Sequence, residues 1–373
     1  MNNSELLYTI ALTQMRGIGL MTAKKLCEQA GDISLLFDAH KNLRDIIPDA
    51  SDQLVALMAD TTPALQRAEQ ELEFMEGKQM RGITFKDDDY PSRLLPCDDS
   101  PLVLFSCGNA DLNRKRIVSI VGTRHCTSYG KDICNHFVED LHTLDPDILI
   151  VSGLAYGIDI CAHKAALQYG MQTVGVMAHG LDMVYPRLHR NTAVEMTRNG
   201  GLLTEYTTKT TPEKGNFVQR NRIVAGIADV TVVVESAERG GSLITANLAH
   251  SYGREVCAFP GRVTDEYSKG CNRIIYNEMA HSIRSAQDLF DIMNWETGSQ
   301  GYRPLQQNLF VELTAEERKV VDCLADEEGK PAGQIVADTG LSFSAVSIIL
   351  FELESKGLID FVGGGRYRLI RKV

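Results

Sequence analysis

Six short apolar, β-branched runs recur along the middle of the chain, at 117–121, 148–152, 173–177, 202–204, 230–235 and 256–259. Helix-length amphipathic segments lie between most of them, including 158–169, 217–226 and 243–252. A strand that is apolar on both faces has to be covered on both, and strands joined through helices pair in parallel. The pattern predicts the α/β class: a Rossmann-like, doubly wound, mainly parallel sheet within residues 111–293.

The flanks read differently. Residues 1–80 are expected to be a small helical domain. Leu6, Leu7, Ile10 and Ala11 share one helix face, and Arg16-Gly17-Ile18-Gly19 separates that helix from a helix-like run at 22–28. Such a turn suits a helix-hairpin-helix or SAM-like arrangement. It either presents backbone N–H groups to a phosphate or is simply a tight turn between packed helices. Residues 81–110 contain Tyr90-Pro91, the acidic run 87–89 and Pro101, and are expected to be a connector leading into the core. A polar linker is expected over 294–312, with glycines and Pro304. In 313–373, Thr314 is placed to cap a helix over 315–326, with Glu317 completing a capping box. Helices at 332–338 and 342–356 follow, joined by Thr339-Gly340-Leu341, then strands at 358–362 and 366–370 around a turn at 363–365. Helix–turn–helix plus hairpin is a winged helix.

Length and charge narrow the possibilities further. A chain of 373 residues allows two or three domains. The net charge of −11 argues against nucleic acid only until it is divided along the chain. Residues 1–110 carry 10 Lys+Arg against 17 Asp+Glu, whereas 111–293 carry 19 against 20. The acidity is mostly N-terminal, and the predicted sheet domain is free to carry local basic clusters. Nine cysteines without a Cys-x-x-Cys pair suggest reduced thiols in a cytoplasmic protein, and no metal site. No apolar run has the length of a membrane span, so no membrane association is expected.

In a doubly wound sheet, ligands meet the carboxyl ends of the strands. Glycine and polar residues gather at those positions here. They are Gly122-Thr123-Arg124, then Ser152-Gly153 running to Gly157, then Arg187 and Arg190 after the third strand, and Arg239-Gly240-Gly241-Ser242 after the fifth. Glycines let a backbone approach an anion, and helix N-termini supply partly positive N–H groups. The densest basic group is Lys214 to Arg222. Within it, Phe217 offers a stacking face, Arg220 is expected to point outward to a ligand, and Asn221 or Arg222 to brace the adjacent loop. Alternatively Phe217 is core and the arginines form internal ion pairs with Asp182 or Glu205.

Catalytic and cofactor signatures are sparse. Gly-x-Gly-x-x-Gly after the first strand and Gly-x4-Gly-Lys-Ser/Thr are both missing, which disfavours a dinucleotide-dependent dehydrogenase and a P-loop ATPase. Ser152 lacks a nucleophile elbow. Asp159 and His163 lie one helical turn apart, a pattern that fits local capping better than acid–base work. No catalytic residue and no cofactor are expected.

Several segments together resemble the DNA-processing protein A (DprA, or Smf) family of bacterial transformation proteins. They are 120–124, 152–159, Gly180-Leu181-Asp182 with Tyr185-Pro186, Phe217-x-x-Arg220-Asn221-Arg222 through Gly226, and Pro260-Gly261 with Gly270-Cys271-Asn272. The resemblance implies a cytoplasmic, non-catalytic, single-stranded DNA-binding protein. Such a protein protects incoming DNA and loads the RecA recombinase, as a homodimer through the Rossmann-like domain. It also adds Asn272 to the candidate DNA-contacting residues. Where many relatives have Lys or Ser before Gly240-Gly241, this chain has Arg239, and the Tyr-Pro-Lys-x-Asn segment is replaced by 185–191. The competing reading is a Rossmann-like nucleotide phosphoribohydrolase or other nucleotide-binding enzyme, suggested by the Gly240-Gly241 loop. A transcription-factor reading of the winged helix is weakened by its third helix, which lacks Lys or Arg before Lys356.

Overall fold

In the computed structural model, which describes residues 3–38, 42–78, 80–296, 313–324, 329–355, 358–362 and 365–369, nine strands form one large sheet. In chain order they are β1 (Met80–Thr84), β2 (Val103–Gly108), β3 (Ile117–Val121), β4 (Leu149–Ser152), β5 (Thr173–Val176), β6 (Gly200–Thr204), β7 (Val230–Val233), β8 (Glu255–Ala258) and β9 (His281–Ser282). Across the sheet the order is β1-β2-β6-β5-β4-β3-β7-β8-β9. Pairing is parallel from β6 to β9 and antiparallel at β1–β2 and β2–β6.

The apolar runs are explained by burial on both sides. Ile117 and Val121 of β3 enter one core cluster, while Val118 and Ile120 enter the other. Helices Ser128–Leu144 and Ile158–Gln168 supply Phe137, Val138 and Ala162 to one face. Helices Lys214–Gly226 and Ser242–Ser251 supply Ile223, Val224 and Ala246 to the other. Successive strands leave β3 through β4 on one side and β7 on the other. The crevice of a doubly wound sheet therefore opens beyond the carboxyl end of β3.

Two compact units divide the chain, Met1–Thr297 and Gly298–Val373. In the first, segment 81–110 differs from the expected connector, because it contributes most of β1 and all of β2. Its strand pattern was disguised by Gly82 and by the turn residues between the strands, and long-range pairing from Met80↔Cys107 to Thr84↔Val103 holds it. β2 also joins two cores. Leu104 faces the Rossmann-like core, and Val103 and Phe105 join the N-terminal helices. Those helices include Asn3–Gln14, Leu20–Ala30 and Thr62–Met75. Between the first two, Gly17 has φ +86°, and a Cβ there would lie 2.9 Å from Leu57. The Arg16–Gly19 turn is thus packed inward at Gly17. Buried Glu71 accepts bonds from the N–H and hydroxyl of Thr208, fastening the helical region to the loop after β6.

The second unit is the winged helix. Thr314 caps Ala315–Cys323 with the full capping box to Glu317, and Ala332–Thr339 and Phe343–Ser355 follow. Strands Ile359–Val362 and Arg366–Leu369 pair as a hairpin, joined by the short strand Lys330–Pro331, which the sequence reading did not include. Most of the expected 294–312 linker, the end of the first winged-domain helix at 325–326, and residues 356, 363, 364 and 370 lie outside the described residues.

Candidate nucleic-acid interface

The loops beyond β3 and β4 press against one another, and glycine makes that possible. Gly157 has φ +79°, and a Cβ on it would strike the Thr123 carbonyl; one on Gly122 would strike Ile158. The Ile158 N–H donates to the Thr123 carbonyl at 3.2 Å, so the two loops form one ledge. Beyond β7, Gly240 sits against the Ser236 hydroxyl while Gly241 faces open space.

Three helices begin at this carboxyl edge with no side-chain cap: Ile158–Gln168 after Gly157, Lys214–Gly226 after Glu213 and Ser242–Ser251 after Gly241. Their first-turn N–H groups carry the partial positive charge of helix N-termini. The neighbouring helix Ser128–Leu144 shows the contrast. Its cap Thr127 accepts from the Gly130 N–H at 3.2 Å, and Thr127 itself donates to Glu235 from its N–H at 2.9 Å and its hydroxyl at 2.5 Å. The buried Glu235 carboxylate, which sequence reasoning did not single out, already serves as the anion at that terminus.

Above the ledge lies an aromatic and cationic cluster. Phe217 is half-buried, not core, and the Arg124 guanidinium stands over its ring at 5.1 Å from the centroid. Tyr185, 43% exposed, has its ring 6.0 Å from that of Phe217. A cation over an aromatic face leaves the ring edge and the guanidinium fork open to a further planar group. Tyr185 was noticed in sequence only as part of a Tyr-Pro pair, because nothing in the spacing shows that it reaches Phe217. Arg187 and Arg190 are exposed and flank buried His189, whose ring meets that of Tyr156 edge-on at 5.0 Å.

Other candidates are turned inward. Arg220 does not point outward: it is 4% exposed, and its guanidinium donates to the carbonyls of Val176 and, at 2.6 Å, Gly153. A Cβ at Gly153 would lie 2.6 Å from that guanidinium, so the glycine there makes room for arginine. Asn221 accepts from Arg220 Nε at 3.2 Å. Burial pulls the Arg220 pKa down and pushes that of Asp159 up, each opposed by the other's charge. Arg222 pairs with Glu205 and donates to the Asp99 carbonyl, as the alternative reading of internal ion pairs held. Ser152 is fully buried and donates to the Ile120 carbonyl at 2.6 Å; Ser242 donates to Ser236 at 2.8 Å. Asn272 holds both backbone groups of Gly261. Side chains committed in this way shape the edge from beneath. Sequence spacing put them at the carboxyl end of the sheet but could not tell which way they face.

Asp159 and His163 do not pair with one another. Asp159 accepts from the Ala155 N–H at 3.2 Å, and His163 bonds Thr173 at 2.7 Å, its pKa driven down to about 3 by burial. Among the described residues, no group of three or more His, Cys, Asp and Glu is placed to hold a metal ion. No single described helix is long and apolar enough to cross a membrane.

Fold and rim together define a Rossmann-like α/β protein with a C-terminal winged helix and an edge of glycine loops, helix N-termini and arginines. Comparison with known proteins is specific. Residues 81–294 match the family model for DNA recombination-mediator protein A, and 310–365 match the DprA winged helix domain. A putative DNA processing protein DprA of Mycobacterium tuberculosis is 34% identical over 320 residues, covering 82% of this chain and 81% of that one. The Bacillus subtilis DNA processing protein DprA is 40% identical over 210 residues, 56% of this chain and 70% of its own. Among solved structures, DprA from Streptococcus pneumoniae aligns with a TM-score of 0.64 at 31% identity, covering 76% of this chain and 97% of that chain. DNA processing protein A from Helicobacter pylori, described for its single-stranded DNA binding mode, aligns at 0.52 with 28% identity, covering 58% and 97%. The chain belongs to the DprA family.

Proposed function

We propose that this protein binds single-stranded DNA along the carboxyl-edge rim. In this reading it acts in the cytoplasm during natural transformation, protecting incoming DNA and passing it to the RecA recombinase, as a homodimer through the Rossmann-like domain. The observation that carries the binding step is the Arg124–Phe217–Tyr185 cluster beside three uncapped helix N-termini. Exposed aromatic faces take unstacked bases, and guanidinium groups and helix termini take the phosphates between them. The single-strand binding mode described for the Helicobacter pylori relative supports the same choice. Arg124, Arg187, Arg190 and Phe217 would touch the strand. Gly241 would let its backbone come close, Gly122, Gly153, Gly157 and Gly240 would let the loops and the Arg220 guanidinium pack together beneath it, and Arg220, Asn221, Arg222, Ser152, Ser242 and Asn272 would hold the loops. The nucleotide-hydrolase reading is less favoured because the sequence carries no Pro-Gly-Gly-x-Gly-Thr loop.

The test is a gel shift of matched single-stranded and duplex oligonucleotides, with mono- and dinucleotides as competitors and hydrolysis products followed. Preference for the single strand without turnover supports the proposal. Equal affinity for duplex at matched salt, or nucleotide cleavage, contradicts it.

A further inference from the structure

His179 follows β5 at the carboxyl edge of the sheet, just beyond Met177 and Ala178. It is 1% exposed, and its backbone is fixed from β6, where the Thr204 hydroxyl donates to the His179 carbonyl at 3.0 Å. Both ring nitrogens are engaged. Nδ1 meets the Gly180 carbonyl at 2.8 Å, and the Tyr185 N–H donates to Nε2 at 3.2 Å. A carbonyl can only accept and a backbone N–H can only donate. The ring is therefore the neutral tautomer, with its proton on Nδ1 and a bare lone pair on Nε2. Burial favours that form by holding the His179 pKa below its ordinary 6.5.

The bond to Nε2 closes the loop that carries Tyr185. The near end of that loop is tied to the segment after β6. There the Gly180 N–H donates to the Thr210 carbonyl at 3.2 Å, and the Lys209 N–H donates to Asp182 at 3.1 Å. Gly180 is pressed against the same segment, since a Cβ on it would lie 2.5 Å from the Thr207 carbonyl. At the far end the chain returns to the buried imidazole. The N–H received there belongs to the residue whose exposed ring stands 6.0 Å from Phe217. A platform already held in place binds a base more tightly, because ordering a loop during binding costs affinity.

We infer that His179 is a positioning residue for single-stranded DNA: its Nε2 acceptor holds the Tyr185 backbone so that the Tyr185 and Phe217 rings form one platform for unstacked bases. The inference rests on the single-strand reading above and adds to it a buried residue that touches no DNA itself.

Asparagine and glutamine separate the work of the two ring nitrogens. An Asn amide N–H can replace Nδ1 on Gly180 but leaves the Tyr185 N–H without an acceptor, whereas the Gln carbonyl oxygen reaches the place of Nε2. Affinities are measured by fluorescence anisotropy at neutral pH, for a thymidine oligonucleotide and for an abasic strand of the same length. His179→Asn should bind the thymidine strand about fivefold more weakly and the abasic strand as wild type does. His179→Gln should restore the thymidine affinity to within about twofold. Tyr185→Ala should show the same selective loss, and adding His179→Asn to it should cost nothing further. If His179→Asn loses its circular dichroism signature, His179→Leu is measured in its place with the same expectations. Unchanged thymidine affinity, an equal loss on the abasic strand, no rescue by glutamine, or a loss that adds to that of Tyr185→Ala overturns the inference. A wild-type protein that binds neither strand would instead sink the single-strand reading itself.

Discussion

Arg124 and Arg220 lie close to the same phenylalanine, at 5.1 and 5.9 Å from the ring centroid, yet do different work. Arg124 is exposed and free to turn toward a phosphate. Arg124→Ala should therefore weaken single-strand binding by about tenfold, roughly 1.4 kcal/mol, with an unchanged urea midpoint; binding titration and denaturation together check this. Lysine should rescue only part of the loss, because an ammonium cannot make the bidentate fork. Arg220 is the keystone under the Gly153 loop, so Arg220→Ala should lower both affinity and stability. Leaving the carbonyls of Gly153 and Val176 without their donor costs about 1–3 kcal/mol for each buried group. His163 adds a pH dependence. Its folded pKa, about 3, lies far below the ordinary 6.5, so only the unfolded chain takes up its proton as pH falls. Its contribution to stability is intact above pH 6.5 and is lost progressively from there toward pH 3. By pH 5 the loss should be about 2 kcal/mol. Denaturant melts at pH 7 and 5 should show this loss, and His163→Leu should remove that part of it.

At the scale of elements, the parallel strands were legible because burial on two faces writes an uninterrupted apolar run. The winged helix was legible because Thr314, Glu317 and Gly340 mark a helix start and stop with their own chemistry. β1 and β2 were not, because their pairing partners lie some twenty residues apart across a turn-rich segment, and long-range pairing leaves no local period. The site divided in the same way. Glycine loops at strand ends announced the edge, but the facing of Arg220, Arg222, Ser152 and Asn272 depends on contacts made by residues far away in sequence. The third winged-domain helix exposes Phe343, Ile348 and Phe351, an apolar surface with no Lys or Arg among its described residues. A chain ending at residue 296 should accordingly keep its single-strand affinity to within about tenfold by gel shift; a larger loss would assign the winged helix a direct share of binding.

For the whole molecule, a chain of net charge −11 is proposed to hold a polyanion, and local arrangement has to overcome the global balance. The near-neutral sheet domain concentrates cations and helix N-termini at one edge, and in this reading the acidic N-terminal third would discourage indiscriminate adsorption. Each phosphate contact on a single strand releases condensed counterions, so the logarithm of affinity falls with the logarithm of salt by about 0.7 per contact. The decisive measurement is that salt slope for a single-stranded oligonucleotide, in the wild-type protein and in the triple variant Arg124→Ala, Arg187→Ala, Arg190→Ala. If the strand lies on the rim, the triple variant should stay folded and its slope should become shallower by about 2. A folded triple variant with the wild-type slope would place the DNA elsewhere on the protein.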